Sequence, residues 1–320
     1  DAAEAARDKY LMRTLLARGG VPVPEFRLCS TADDLQALAA QVMYPCVVKP
    51  LRLNGSRGVI RADDPAQFVA AARRLARLLH AIEPTPEPKP FLVERFIPGF
   101  EVALEGVLDR GRLQALALFD KPDPLDGPFF EETIYVTPSR LPAEVQAAIC
   151  ACAADAAAAL GLRTGPMHAE LRVNEQGPWL VEVAGRSIGG LCSKTLRFGT
   201  DASLEELILR QACAGAFRET PLPAREQAAG GVMMIPIPGE GLLRGVAGLE
   251  QARAVPGIEE IEITARLHYP IVPLPEGESY LGFIFARGAT PAEVEAALRE
   301  AHSRLRFQIV PGISLLTSKV

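Results

Sequence analysis

The 320-residue sequence has no CxxC pair among its six cysteines, no excess of basic residues and no internal repeat. It also contains no apolar run of the roughly twenty residues that cross a bilayer. Each absence narrows the field. A chain this long builds a core without staples, so Cys29, Cys46, Cys150, Cys152, Cys192 and Cys213 are expected to be reduced, mostly buried thiols of a cytoplasmic protein. Cys150 and Cys152 lie two apart in an alanine-rich helical stretch, hence on different faces, and are expected to pack rather than to hold metal. Lys and Arg number 34 against 39 Asp and Glu, a net charge of −5 that offers nucleic acid no basic field. No signal-peptide pattern opens the sequence, and no membrane partner is expected.

What is present is a 48% apolar chain with a mean hydropathy of +0.13, enough for a large core in two or three subdomains. Helical spacing of Leu11, Leu15 and Leu16 begins almost at Asp1, which reads as a start inside a longer protein. A helix over 8–20 ends at Gly19-Gly20, and a second over 31–41 opens on Ser30 or Thr31. PCVVKP (45–50) reads as a buried strand, LRLNGSRGV (51–59) as a glycine loop and 65–82 as a helix with Arg73, Arg74 and Arg77 toward solvent. EPTPEPKP (83–90) has no flanking aromatic and reads as a polyproline II linker. Strands follow at 91–97, 101–108 and 113–121, then a loop over 126–142 and a long helix over 141–161. After an amphipathic helix over 201–215, a proline-rich break at 221–223 opens a C-terminal segment of strands (GGVMMIPI, SYLGFIFAR, RLRFQIV) with one helix over 291–305. The class is α+β with mostly antiparallel sheets.

The stretch GPMHAELRVNEQGPWLVEVAGRSIGG (165–190) reads as a hairpin with period-two alternation. Ala169, Leu171, Val173, Trp179, Val181 and Val183 share an apolar face; His168, Glu170, Arg172, Leu180, Glu182 and Ala184 share the other. A three-residue loop, Glu175–Gly177, pairs Asn174 with Pro178 and sets Glu170 opposite Glu182. Facing carboxylates repel across a sheet, so a cation is expected between them. Elsewhere, a strand ending in Lys49 runs into a loop with Gly55, Ser56 and Gly58, which suits an anion such as a nucleotide phosphate, or is an ordinary glycine turn beside a surface lysine. No GK[ST] ends it, so it is not a Walker A loop. Glu94 and Glu101 flank a Pro-Gly turn, and Glu131 and Glu132 sit in an aromatic loop; either pair reads equally as surface charge.

In order and spacing these stretches resemble the ATP-grasp superfamily over residues 8–215. The carrying residues are Asp8-Lys9, Val47-Val48-Lys49, the loop Asn54-Gly55-Ser56-Arg57-Gly58-Val59, Glu94-Arg95-Phe96-Ile97 with Glu101, and Glu170, Glu182 and Arg186. Within it the chain looks most like the L-amino-acid ligases, through His168-Ala169-Glu170, Glu182–Arg186 with Gly189-Gly190, and Glu132-Thr133-Ile134-Tyr135 before Pro138-Ser139. Two departures stand out: Ala184 where many members carry Asn, and Tyr135 where the ligases commonly carry His.

The resemblance implies two subdomains gripping ATP: an entry helix (1–21), a small subdomain with the phosphate loop (22–98), a large one with the metal site (99–220) and a C-terminal α+β domain (221–320). The family's amino-terminal domain would be absent. It implies ATP and Mg²⁺, with Mn²⁺ as substitute, and small-molecule carboxylate and amine substrates joined through an acyl phosphate. Lys9 and Lys49 would meet the α- and β-phosphates, the 54–59 loop would exclude water, and Glu94 with the backbone of Arg95 and Ile97 would read adenine. Phe96 belongs to the same strand, and Glu101 would meet the ribose. Glu170 and Glu182 would ligate metal, Arg186 would stabilise the transferred group, and Glu132 would hold a substrate ammonium, with Tyr135, His168, Gly189 and Gly190 lining the substrate. Arg57 and His168 also read as a solvent-facing arginine and a structural histidine. The alternatives are an enzyme like glycinamide ribonucleotide synthetase, for which Lys194 and Arg197 supply extra basic residues, one like biotin carboxylase, or a nucleotide-binding module without turnover. Exposed C-terminal strands leave a homodimer open.

Overall fold

Local chemistry sets the first turns of the chain. The Asp8 carboxylate accepts from the amides of Tyr10 and Leu11 at 3.1 Å each, and this cap separates helix α1 (Ala2–Arg7) from α2 (Lys9–Arg18). The computed structural model describes residues 2–199, 201–214 and 228–311. The proline-rich break at 221–223 lies outside them.

A four-stranded antiparallel sheet in the order β1-β4-β2-β3 follows, built from β1 (Phe26–Ser30), β2 (Cys46–Pro50), β3 (Ile60–Ala62) and β4 (Pro90–Arg95). Helices α3 (Leu35–Ala39) and α4 (Pro65–Ile82) cover it, with Val48, Phe68, Leu75 and Phe91 in the core between. Helix α3 starts later than the sequence suggests. Ser30 and Asp33 close a turn on each other, and Asp34 is the cap, accepting from Gln36 and Ala37 at 2.9 and 3.2 Å.

The second sheet has eight strands. In chain order its members are β5 (Phe100–Asp109), β6 (Arg112–Asp120), β7 (Ile134–Thr137), β8 (Gly165–Asn174), β9 (Gly177–Ala184), β10 (Ala229–Ile235), β12 (Ile258–Ile263) and β14 (Gly282–Gly288). They run in the order β12-β14-β10-β7-β6-β5-β8-β9, so C-terminal strands continue the sheet that β5–β9 begin. Strand β7 lies inside the segment expected to be a loop; its burial between β6 and β10 outweighs the turn residues on either side. A small sheet of β13 (Pro270–Ile271), β11 (Gly241–Ala247) and β15 (Arg306–Val310) completes the strands.

Helices α5 (Ala143–Leu160), α6 (Leu204–Ala214), α7 (Leu249–Arg253) and α8 (Pro291–Arg304) pack around these sheets. With 18 residues and a mean hydropathy of 1.4, α5 is long and apolar enough to cross a bilayer by length and composition, which corrects the expectation of no such run. One stripe of it, Ile149, Ala153, Ala156 and Leu160, packs here on Leu104, Ala169, Leu171 and Val183. Across the molecule, α8 lies so close to β10 that a Cβ on Gly231 would sit 2.7 Å from Val294 and 3.0 Å from the Tyr135 carbonyl. Gly231→Ala is therefore expected to cost about 1–3 kcal/mol, read as a lower denaturation midpoint.

The hairpin of β8 and β9 reaches its expected carboxylate pair by another route. Asn174 pairs with Gly177, not Pro178, so the turn holds only Glu175 and Gln176. That register alone would set Glu170 opposite Val181. A bulge at Val181 restores the pairing: Leu171 faces Leu180, and Glu170 faces Glu182. In consequence Leu180, not Val181, points into the core, and Val181 turns to the opposite side. Arg13 pins the bulge, donating to the carbonyls of Leu180 and Val181 at 2.9 and 2.8 Å.

Candidate active site

Period-two alternation places the polar groups. On β5 and β8 the residues Val102, Leu104, Ala169 and Leu171 face α5, so Glu101, Glu105, His168, Glu170 and Arg172 share the opposite face. The register pairs Glu101 with Arg172 and Glu105 with His168. Both pairs are bonded: Arg172 Nε lies 2.7 Å from Glu101, and His168 Nδ1 makes a short contact with Glu105. Lys121, one residue past β6, adds its ammonium to Glu101 at 2.7 Å, to Glu132 and to Glu170 at 3.3 Å. Tyr135 on β7 donates its hydroxyl to Glu132 at 2.8 Å.

Glu101, Glu132, Tyr135, His168, Glu170 and Arg172 form one wall of a cavity of about 480 Å³ between the two larger sheets, with Glu105 and Lys121 behind them. The opposite end is lined by Val47, Lys49, Leu53–Ser56 and Val59 from the four-stranded sheet and its loop. Lys9 reaches in from α2, donating to the Leu53 carbonyl at 2.8 Å and lying 3.4 Å from Glu182. Arg186 also lines the cavity; its Nη1 donates to the Ser187 carbonyl at 2.7 Å. Beside Lys49, the Glu94 carboxylate is buried between that ammonium and Arg13.

Electrostatics follow from burial and neighbours. Burial would lower the His168 value, but the Glu105 carboxylate overrides it and raises the ring to about 10, so it stays protonated at neutral pH. Burial would raise Glu170, yet Lys121 and His168 hold it well below the usual carboxylate range. Glu132 goes the other way, pushed up to about 7 by burial and then by Glu170. Burial and Glu132 raise the Tyr135 phenol, which stays a neutral donor.

A protein-family profile described as the ATP-grasp domain matches residues 42–195, and another, L-amino acid ligase C-terminal domain 2, matches residues 233–310. The crystal structure of the L-amino acid ligase from Bacillus licheniformis is similar with a TM-score of 0.82 and 29% identity, over 96% of this chain and 74% of that one. The chain carries an ATP-grasp domain followed by an L-amino acid ligase C-terminal domain. Among curated relatives, alanine–anticapsin ligase of Bacillus subtilis is 28% identical over 241 residues, 69% of this chain and 49% of the ligase. D-alanine–D-alanine ligase of Aromatoleum aromaticum is 31% identical over 187 residues, 57% of each chain. This chain thus spans about half the length of these relatives.

Most of the residues marked from the sequence line this ATP-grasp cavity: Lys9, Lys49, Asn54, Gly55, Ser56, Val59, Glu94, Phe96, Ile97, Glu101, Glu132, Tyr135, His168, Glu170, Glu182, Arg186, Gly189 and Gly190. Arg57, Gly58 and Arg95 are not brought into it. Arg57 is turned to the C-terminal segment, where it donates to the Glu276 carbonyl and the Glu278 carboxylate at 2.8 Å each. The Gly58 amide donates to Pro275, and the Arg95 amide to Glu25. Glu94 and Glu101 line the cavity but are held in ion pairs, Glu94 by Arg13 and Lys49, Glu101 by Lys121 and Arg172. Neither carboxylate is presented freely for the adenine or ribose role the resemblance implies. Lys194 and Arg197 face the acids of β12 and its neighbours, Glu259, Glu260 and Glu262.

Sequence reading missed Arg13, Glu105, Lys121 and Arg172 as parts of the site. Glu105 was within reach, since it stands four residues after Glu101 on a strand of period two. Arg172 shares the face of Glu170 for the same reason. Lys121 and Arg13 carry no local signal, because their partners are 11 and 81 residues or more away.

Proposed function

We propose that this ATP-grasp protein is an ATP-dependent carboxylate–amine ligase that forms an amide bond through an acyl phosphate, releasing ADP and phosphate. The observation that carries the reading is the facing of Glu170 and Glu182 across the bulge, in one cavity with Lys9, Lys49 and Arg186. The two carboxylates are part-buried, with side chains 19% and 28% exposed, and oxygen donors so placed fit Mg²⁺. When bound, that ion would cancel charge on the triphosphate.

The chain's own residues account for the rest. Lys9 and Lys49 neutralise phosphates from one side, so that an anionic carboxylate can approach for in-line transfer. The loop 54–59, with Gly55, Ser56 and Gly58 at positive φ, turns Asn54, Gly55 and Ser56 toward the phosphates and keeps water from the acyl phosphate. Arg186, an exposed residue of the cavity lining, meets the charge that develops on the transferred group. Val47, Phe96, Ile97, Leu125 and Phe130 supply apolar surface for the base. Glu132, aligned by Tyr135, takes the ammonium of an amino-acid substrate, and His168, with Gly189 and Gly190, shapes the space beside it. The division at residues 21, 98 and 220 remains our proposed domain plan.

ADP release is the test, measured with Mg²⁺·ATP and pairs of amino acids beside bicarbonate and phosphoribosylamine. Amino-acid-dependent ADP and a dipeptide product are expected; ADP formed with bicarbonate alone would overturn the reading. Tyr135→Phe removes one hydrogen bond to the Glu132 carboxylate, worth about 1.5 kcal/mol, and should raise KM for the amine-bearing substrate about tenfold with kcat little changed.

A further inference from the structure

The wall of the cavity contains a cluster of three carboxylates with the spacing of a metal site. Oxygens of Glu101, Glu132 and Glu170 lie within 4.8 Å of one another, a spacing that suits a divalent cation. The space among them already holds a cation. Lys121, with its side chain 2% exposed, puts one ammonium against all three carboxylates. Its backbone fixes it there, since its amide donates to the Glu101 carbonyl at 3.2 Å, and the Tyr135 ring covers its Nζ at 4.9 Å.

Charge counting shows what this arrangement leaves over. Glu101 is matched twice, by Lys121 and by Arg172. His168 and Glu105 share a proton between them and contribute no net charge. Three carboxyl groups therefore face two permanent cations, and at most one negative charge remains, on the Glu132 and Glu170 side that lines the cavity. A single leftover charge ringed by carboxylate oxygens suits one more ammonium. A divalent ion placed there would have to displace Lys121 or overcharge a buried site.

We infer that Lys121 is a specificity-determining residue: it fills the metal position of the Glu101–Glu132–Glu170 cluster, keeping a divalent ion out, and so leaves the cavity face of Glu132 to the primary ammonium of the substrate. Naming the substrate as an amino acid rests on the ligase reading; the exclusion of a divalent ion does not. Lys121 acts here as a positioning residue, through the carboxylates it holds.

The experiment compares wild type with Lys121→Met and Lys121→Arg by Mn²⁺ titration, followed by electron paramagnetic resonance, without nucleotide. Lys121→Met should take up one more Mn²⁺ per chain than wild type, and Lys121→Arg should not. With Mg²⁺·ATP present, Lys121→Met should also raise the amino-acid KM more than tenfold, while KM for ATP moves less than twofold. Lys121→Gln, which drops the charge and keeps hydrogen bonding, carries the same measurements should the methionine variant fail to fold. A folded variant lacking the charge that binds Mn²⁺ no differently from wild type overturns the inference. So does extra Mn²⁺ uptake with an unchanged amino-acid KM. Wild type that forms no ADP with any amino acid overturns the ligase reading instead, and the Mn²⁺ arm still decides the role of Lys121.

Discussion

Glu182→Gln should lower Mg²⁺-dependent ADP formation by ~10³-fold or more, a loss of about 4 kcal/mol in transition-state stabilisation. The substitution keeps shape and volume and removes only charge. Glu182 faces Glu170 across the strand pair and Lys9 at 3.4 Å, so the variant loses the carboxylate that both Lys9 and a metal ion would use. The fold should be untouched, because Glu182 is part-exposed and its strand is held by Leu180 and Val183 in the core. The check is a coupled ADP assay beside a denaturation curve. Activity within tenfold of wild type, at equal stability, would place the metal somewhere other than this hairpin.

Substitution at Glu94 should act on the whole molecule. This carboxylate is 3% exposed and joins α2 to the four-stranded sheet through Arg13 Nε at 2.9 Å and through Lys49. Glu94→Gln leaves both cations buried without a counter-charge, which costs about 3–5 kcal/mol in denaturant unfolding. Burial alone would raise the Glu94 carboxyl, but Arg13 and Lys49 hold it down from 4.5 to about 2. A folded-state value below the unfolded one means stability that is complete above pH 4.5 and is lost as pH falls toward 2. The shift corresponds to on the order of 3 kcal/mol. Urea titrations at neutral pH and at successively lower pH should therefore show the gap between wild type and Glu94→Gln closing as the carboxyl protonates. A gap of constant size across that range would mean that the ion pair is not what holds the two elements together.

Glu94 also marks where reading by sequence and by structure part. A glutamate on a strand of Glu-x-aromatic-aliphatic form signals the nucleotide cleft, and the residue does line it. Its carboxylate, however, is spent on Arg13, a residue 81 positions earlier that nothing local connects to it. The 126–142 segment teaches the same lesson for the fold: turn-forming residues hid β7, which exists because β6 and β10 lie on either side of it.

By itself the sequence determined the helices α2, α4, α5 and α8, most strands of the two large sheets, the alternation that puts Glu170 and Glu182 on one strand pair, and the ATP-grasp order of motifs. These are written in short-range periodicity and capping, where each residue's environment depends on its near neighbours. Only the tertiary structure decided the bulge at Val181 that makes the carboxylates face each other, the turning of Arg57 toward Glu278, and the gathering of Lys121 with Glu101, Glu132 and Glu170. Each depends on register between strands or on charges brought together from distant parts of the chain. Coulomb attraction in a buried site acts on distance in space, and spacing along the sequence does not record it.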